Sequence, residues 1–181
     1  MIDLSKYQNK LSVGNKLGRL IWIFIYYLFF RSLPFNFCFK WRVFLLTMFG
    51  ARIDYSAHVY ATVKIWAPWN LEMGQNSCLG PYVDCYNVAK VHIGANSTIS
   101  QKTYLCTASH DITKSLNPLI IAPIFIEDQV WVASNAFIGM GVYIKQGAVV
   151  GACAAVFKNV ESWTVVGGNP AKVIKKRIIT E

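Results

Sequence analysis

The stretch Ile126–Val156, IEDQVWVASNAFIGMGVYIKQGAVVGACAAV, carries an aliphatic residue at every sixth position: Ile126, Val132, Ile138, Ile144, Val150 and Val156. Four places after most of these stands a small or β-branched residue, as at Val130, Ala136, Val142, Ala148 and Ala154. Another small residue often follows directly, as at Ala133, Gly139 and Gly151. A period of six matches neither the 3.6 residues of a helical turn nor the two of an alternating strand. It marks a parallel β-helix in which each hexapeptide supplies one short strand and one turn. Three hexapeptides, about 18 residues, close a triangular coil, and coils stack at the ordinary strand spacing of about 4.8 Å. The aliphatic residues point into the prism and the small ones fit where turns crowd.

Outward from this stretch the same period continues with two-residue shifts. Ile53, Val59, Ile65 and Leu71 form one series, Met73, Leu79, Cys85 and Val91 a second, and Ile93, Ile99 and Leu105 a third. Then the repeat breaks. Residues 106–123, CTASHDITKSLNPLIIAP, fit no hexapeptide, and a long excursion from a rigid scaffold is where function usually sits. It contains His110-Asp111, and His110 is one of three histidines; His58 and His92 fall in repeat turns and read as surface or packing residues.

Ahead of the repeat, the apolar block IWIFIYYLFF, Ile21–Phe30, lies between Arg19 and Arg31. It is too short for the roughly 20 residues of a spanning helix. It has the length of a signal-peptide core, but no small-residue cleavage site follows; Arg31-Ser32-Leu33-Pro34 comes instead. A second helical stretch, about Phe35 to Phe49, ends at Gly50, a residue suited to the position after a helix, and Pro34 breaks the two. Trp22, Tyr26 and Tyr27 favour membrane interfaces, and Arg19, Arg31, Lys40 and Arg42 suit anionic headgroups. Packing on the β-helix or a partner subunit and peripheral membrane contact are both open, and do not exclude each other. The chain divides into an N-terminal helical segment at 1–50, a β-helix at 51–169 with the extruded loop at 106–123, and a tail at 170–181.

Composition narrows the function classes. Hydrophobic residues at 54% against 15% charged residues exclude a disordered chain. The net charge of +9 is spread through the N-terminal third and concentrated again at Lys172, Lys175, Lys176 and Arg177. Such an excess meets nucleic acid, an anionic membrane or a phosphate-rich small molecule, and no motif for nucleic acid accompanies it. Five cysteines, odd in number and without CxxC spacing, suit reduced thiols in a cytosolic protein better than a zinc site or disulfides. Cys106, at the start of the excursion, reads as a small core-filling residue in preference to a nucleophile.

The chain resembles the hexapeptide-repeat sugar O-acetyltransferases, and most closely the colanic acid biosynthesis acetyltransferases. The matching stretches are RVFLLTMFGARI, PWNLEMG, ISQKTYLCTASHD, APIFIEDQVWVASNAFIGMGVYIKQGAVVGACAAVFK and GGNPAKVI. The resemblance implies an all-β solenoid, a left-handed parallel β-helix with N-terminal α-helices and a short C-terminal helix after the GGNPA turn. It implies acetyl transfer from acetyl-CoA to a sugar hydroxyl, with His110 as general base. A sugar hydroxyl is a poor nucleophile until a base takes its proton, and an imidazole titrates near working pH. Asp111 either orients that ring or caps the turn. By the same resemblance Trp131 lines the tunnel where pantetheine meets acceptor, and backbone groups around Ser134 and Ala152 hold the pantetheine arm. One such amide would stabilise the tetrahedral oxyanion. Lys158, Lys172 and Lys175 would face the phosphates of CoA. Maltose and galactoside acetyltransferases carry an acceptor-binding asparagine where this chain has Gly80, so their free-sugar specificity does not transfer. Asp84, Tyr86 and Asn87 in the same coil are the replacement candidates for the acceptor, with a turn-and-packing role equally open.

Rival readings are an acyltransferase for an amino sugar, an antibiotic or serine, a metal enzyme on the same solenoid, and a non-catalytic scaffold. The metal enzyme needs three converging histidines, and the spacing of His58, His92 and His110 does not match, so no metal is expected. A triangular prism offers flat faces for a cyclic homotrimer, and the resemblance puts the CoA groove along the seam between subunits. The acceptor, if lipid-linked, would be met at the inner face of the cytoplasmic membrane.

Overall fold

The computed structural model describes residues 11–33 and 35–180; the break expected at Pro34 lies outside them. Among the described residues the repeat folds as a left-handed parallel solenoid of about six turns. Face 1 stacks Arg52–Ile53, Leu71–Met73, Val91–Ile93, Ile124–Ile126 and Tyr143–Ile144. Face 2 stacks His58–Val59, Cys78–Leu79, Thr98–Ile99, Trp131–Val132, Val149–Val150 and Thr164–Gly167. Face 3 stacks Lys64–Ile65, Asp84–Tyr86, Tyr104–Cys106, Phe137–Ile138 and Ala155–Val156. The inward residues Val59, Leu79, Ile99, Val132 and Val150 are fully buried in one column, as the six-residue period requires.

The two-residue shifts have a simple geometric origin. On face 1 the strands Leu71–Met73 and Val91–Ile93 bury both their first and third residues. Each such strand inserts an extra inward pair, so Ile53↔Met73 and Met73↔Ile93 advance 20 residues, whereas Ile126↔Ile144 advances 18. Corners need backbone in the left-handed region, which Asn, Gly and a few others supply: Asn76, Asn96, Asn135, Gly141 and Gly147 all have positive φ. Gly147 is doubly constrained, because a Cβ there would come within 2.6 Å of the Trp163 ring. His58 and His92 stand on strands rather than in the expected turns. His58 meets the Phe39 ring edge-on, and His92 sits beside Glu72.

Two helices close the N-terminal end: α1, Val13–Ile25, continuing into a π-helical turn Tyr26–Phe30, and α2, Phe39–Met48. Ser12 caps α1 by accepting from the Asn15 amide. The first coil presents edge carbonyls that no earlier coil reaches, and the helices supply donors for them. Trp22, only 2% exposed, donates its indole N–H to the Ile65 carbonyl at 2.8 Å. Arg42, 1% exposed, donates its Nε–H to the Val59 carbonyl at 2.6 Å and an Nη1–H to the Leu33 carbonyl at 2.9 Å.

The other end corrects the expected C-terminal helix. Lys172–Lys176 is a strand, antiparallel to Thr164–Gly167 on face 2. The open edge of the last coil offers a full ladder of backbone hydrogen bonds, and KVIKK is rich enough in β-branched residues to take it. Arg177 fastens the strand by donating to the carbonyls of Gln129 and Gly147.

Candidate active site

The excursion at 106–123 is built as an antiparallel hairpin, Ala108–His110 paired with Leu119–Ile121. It leaves the solenoid after Tyr104–Cys106 on face 3 and returns at Ile124–Ile126 on face 1, so it projects from the corner between those faces. His110 pairs with Leu119 at the outer end of the ladder. Its Nδ1 lies 2.6 Å from the Asn117 carbonyl oxygen. A carbonyl only accepts, so Nδ1 carries a proton, and in the neutral ring Nε2 is then the nitrogen with the lone pair. Asp111 turns the other way: one carboxylate oxygen accepts from the amide and hydroxyl of Thr113, and the other lies 3.5 Å from Lys114. Those hydrogen bonds hold its carboxyl below the usual range. Of the two roles open for Asp111, the geometry matches the turn cap.

The residues expected to meet CoA fall on a different side. On face 2 the outward positions Thr98, Trp131, Val149, Val165 and Lys175 stand in one register column. Trp131 is 49% exposed, and its indole N–H donates to the Ser100 hydroxyl at 3.0 Å. From Trp131 three strand steps, roughly 14 Å, lead across apolar Val149 and Val165 to Lys175. Lys172 pairs with Gly167 on the same closing strand. Ser134 and Ala152 occupy successive turns at the corner of faces 2 and 3, linked by the Cys153 amide donating to the Ser134 carbonyl. Among the described residues no acceptor takes the amide N–H of either Ser134 or Ala152. Lys158 follows Ala155–Val156 at the corner of faces 3 and 1, on the hairpin's side and apart from Lys172 and Lys175. A single chain therefore holds His110 and the Trp131 column on different sides of the prism.

Face 3 carries the acceptor candidates and some residues the sequence reading did not single out. Lys64, Asp84 and Tyr104 stand in register, and Tyr86 pairs with Cys106 one coil on. Tyr86 packs edge-on against Trp66, and the Arg19 guanidinium lies 3.7 Å above the Trp66 ring. Burial raises the Asp84 carboxyl above its usual range and pushes the Tyr104 phenol up. Arg19, Trp22, Tyr26, Tyr27, Lys64 and Trp66 line a cavity of about 200 Å³. Trp66 is two strand steps, roughly 10 Å, from Cys106, where the hairpin begins. Asn87 drops out of the candidate set. It is fully buried, its amide oxygen accepting from the Ala67 N–H and its amide nitrogen donating to the Ala67 carbonyl. At Gly80 a Cβ would lie 3.0 Å from the Ile99 carbonyl, so that turn has little room for a side chain.

No protein-family model matches the chain. It is 39% identical over 168 residues to the colanic acid biosynthesis acetyltransferase WcaF of Escherichia coli (strain K12), covering 93% of this chain and 92% of that protein. The chain belongs to the colanic acid biosynthesis acetyltransferases. Among solved structures, a galactoside acetyltransferase in complex with coenzyme A superposes with a TM-score of 0.84 at 26% identity, over 93% of this chain and 84% of that one. A maltose O-acetyltransferase from Clostridium difficile 630 gives 0.82 at 25% identity, over 93% and 90%. In this acetyltransferase the outward residues 20 apart, Lys64, Asp84 and Tyr104 or Trp66, Tyr86 and Cys106, were the signal for face 3. Once coils of 20 residues are recognised, those triplets are neighbours. Among its described residues no group of three His, Cys, Asp or Glu side chains converges as metal ligands do.

Proposed function

We propose that the enzyme moves the acetyl group of acetyl-CoA onto a hydroxyl of a sugar in a glycan or polysaccharide precursor, with His110 as general base. The observation that carries this reading is the contact between His110 Nδ1 and the Asn117 carbonyl, which in the neutral ring makes Nε2 the basic nitrogen. Nε2 takes the hydroxyl proton as the oxygen attacks the thioester carbonyl. The amides at Ser134 and Ala152 hold the pantetheine arm, and one of them stabilises the negative charge that develops on the carbonyl oxygen. When the carbon–sulfur bond breaks, the imidazolium returns its proton to the departing thiolate. Acetyl ester and CoA leave, and the neutral ring is restored.

The column from Trp131 to the closing strand suits the co-substrate. An aromatic and two valines offer an apolar track for pantetheine, and Lys172 and Lys175 stand at its far end for phosphates. Lys158 reaches such a group only from a neighbouring chain. Face 3 supplies Asp84 and Tyr86, with Arg19, Trp66 and Tyr104, for the acceptor: aromatic faces against a sugar ring and polar groups for its hydroxyls. We assign a homotrimer in which one chain's hairpin meets the Trp131 column of the next, because His110 and that column occupy different sides of one prism. The acceptor is carried on a lipid at the inner face of the cytoplasmic membrane, which gives the exposed apolar helices a place beside it.

The test is mixed refolding of His110→Ala with Trp131→Ala. Recovery of activity in mixed trimers supports a shared site, whereas a fully active monomer overturns it. Mass spectrometry of the polysaccharide from cells with and without the enzyme identifies the acetylated sugar. Unchanged acetylation would overturn the acceptor assignment.

A further inference from the structure

The helices that close the solenoid are apolar on two faces, of which the solenoid uses one. Trp22, Tyr26 and Phe30 recur at helical spacing and are buried on the first coil. On the opposite side Leu20, Phe24 and Leu28 recur at the same spacing and stand exposed. The second helix repeats the pattern, burying Val43 and Leu46 while Trp41, Phe44 and Met48 face out. Trp41 joins the two exposed stripes, its indole N–H donating to the Phe29 carbonyl at 2.9 Å. The result is one broad apolar surface on the helices that cap the end of the prism.

Charge identifies what covers it. Between Asp3 and Asp54 the sequence has no acidic residue, and Lys16, Arg31 and Lys40 stand exposed around the apolar stripes. Two copies of this surface set face to face would bring cations against cations, which disfavours self-association. A surface both apolar and anionic satisfies both features, and a lipid bilayer with acidic headgroups is such a surface. No helix among the described residues is long and apolar enough to cross a membrane. We propose that the cap docks flat on an anionic membrane, Leu20, Phe24, Trp41 and Phe44 reaching the acyl boundary and Lys16, Arg31 and Lys40 meeting lipid phosphates. The proposal names the docking surface behind the membrane location in the functional reading, and its binding step needs no catalysis.

Flotation of the full-length protein with lipid vesicles tests it. At low salt the protein floats with phosphatidylcholine vesicles containing about 30% phosphatidylglycerol, and on the order of tenfold more weakly with pure phosphatidylcholine. Phe24→Ser combined with Phe44→Ser weakens binding to both vesicle types by on the order of tenfold or more. Lys16→Gln with Lys40→Gln removes only the preference for phosphatidylglycerol. Thermal midpoints equal to wild type show that the variants fold, and if the phenylalanine pair lowers the midpoint, the lysine pair decides. Absence of flotation on anionic vesicles overturns the proposal, as does unchanged flotation of the lysine pair. A wild-type protein that self-associates through this face, and loses that association rather than vesicle binding in the phenylalanine variant, also overturns it. Acetyl transfer persisting in a protein that does not float would separate failure of the docking from failure of the enzyme reading.

Discussion

His110 and Asn117 meet across the end of the hairpin, ring Nδ1 to main-chain oxygen at 2.6 Å. The tautomer of the proposed base is thus set by the backbone and not by its acidic neighbour Asp111. His110→Ala is expected to lower kcat by roughly 10²–10⁴ with little change in CoA affinity. Asn117 acts through its carbonyl from a left-handed backbone, φ 41°. Asn117→Gly keeps that conformation and most of kcat, whereas Asn117→Val disfavours it and lowers kcat by about tenfold or more. Steady-state kinetics with near-normal turnover in His110→Ala would remove it as the base.

Asp111 serves the turn through Thr113, so Asp111→Ala is expected to cost less than about tenfold in kcat and to loosen the hairpin. Hydrogen exchange at the Thr113 and Lys114 amides should rise. A loss as deep as that of His110→Ala, with exchange unchanged, would show that the carboxylate orients the ring.

Lys172→Glu with Lys175→Glu places negative charge where the proposed column ends. KM for acetyl-CoA is expected to rise while KM for the acceptor holds. An unchanged KM for acetyl-CoA would make both lysines ordinary surface charges.

Trp22→Phe keeps most of the ring but removes the N–H that the Ile65 carbonyl accepts. The buried acceptor left behind should cost about 1–3 kcal/mol, read as a lower urea midpoint with an unchanged slope. A midpoint equal to wild type would mean that the cap does not depend on this bond.

Glu127 accepts from the Tyr143 hydroxyl and the Gln146 amide, and these bonds hold its carboxyl below the usual range. A carboxyl depressed in the folded state adds stability that is fully present above its unfolded-state pKa, about 4.3, and is lost as pH falls through the lower folded value. Glu127→Gln should therefore destabilise at pH 7, and the difference should close as both proteins are titrated into acid. Parallel stability curves down to the lowest pH at which both remain folded would contradict the linkage.

The solenoid was legible because every sixth residue faces one interior, and Val132, Ile138 and Ile144 have only one way to be buried together. The hairpin was legible as a gap in that period, though not its pairing: Ala108, Ser109 and His110 show no alternation that would announce a strand. The C-terminal helix that the resemblance implied is replaced by a strand, because the unpaired edge of Thr164–Gly167 that draws Lys172–Lys176 into the sheet is a tertiary fact. Of the two roles open for Asn87, acceptor contact and packing, the structure gives packing: its amide is spent on Ala67 one coil before. The stacking of Arg19 on Trp66 was not legible because one lies on a helix and the other on the solenoid, and no spacing rule links them.

The ladder distances permit assembly in chain order. Parallel partners along face 2 are separated by 20, 33, 18 or 16 residues and never by the length of the chain. The mean separation is therefore low for a β-protein, about 0.1 of the length, close to that of helical domains. On the ribosome α1 and α2 emerge before the first coil and give it a platform. Each later coil then has only its predecessor to pair with, so coils can be added in chain order. The reversed strand Lys172–Lys176 comes last and ends the growth.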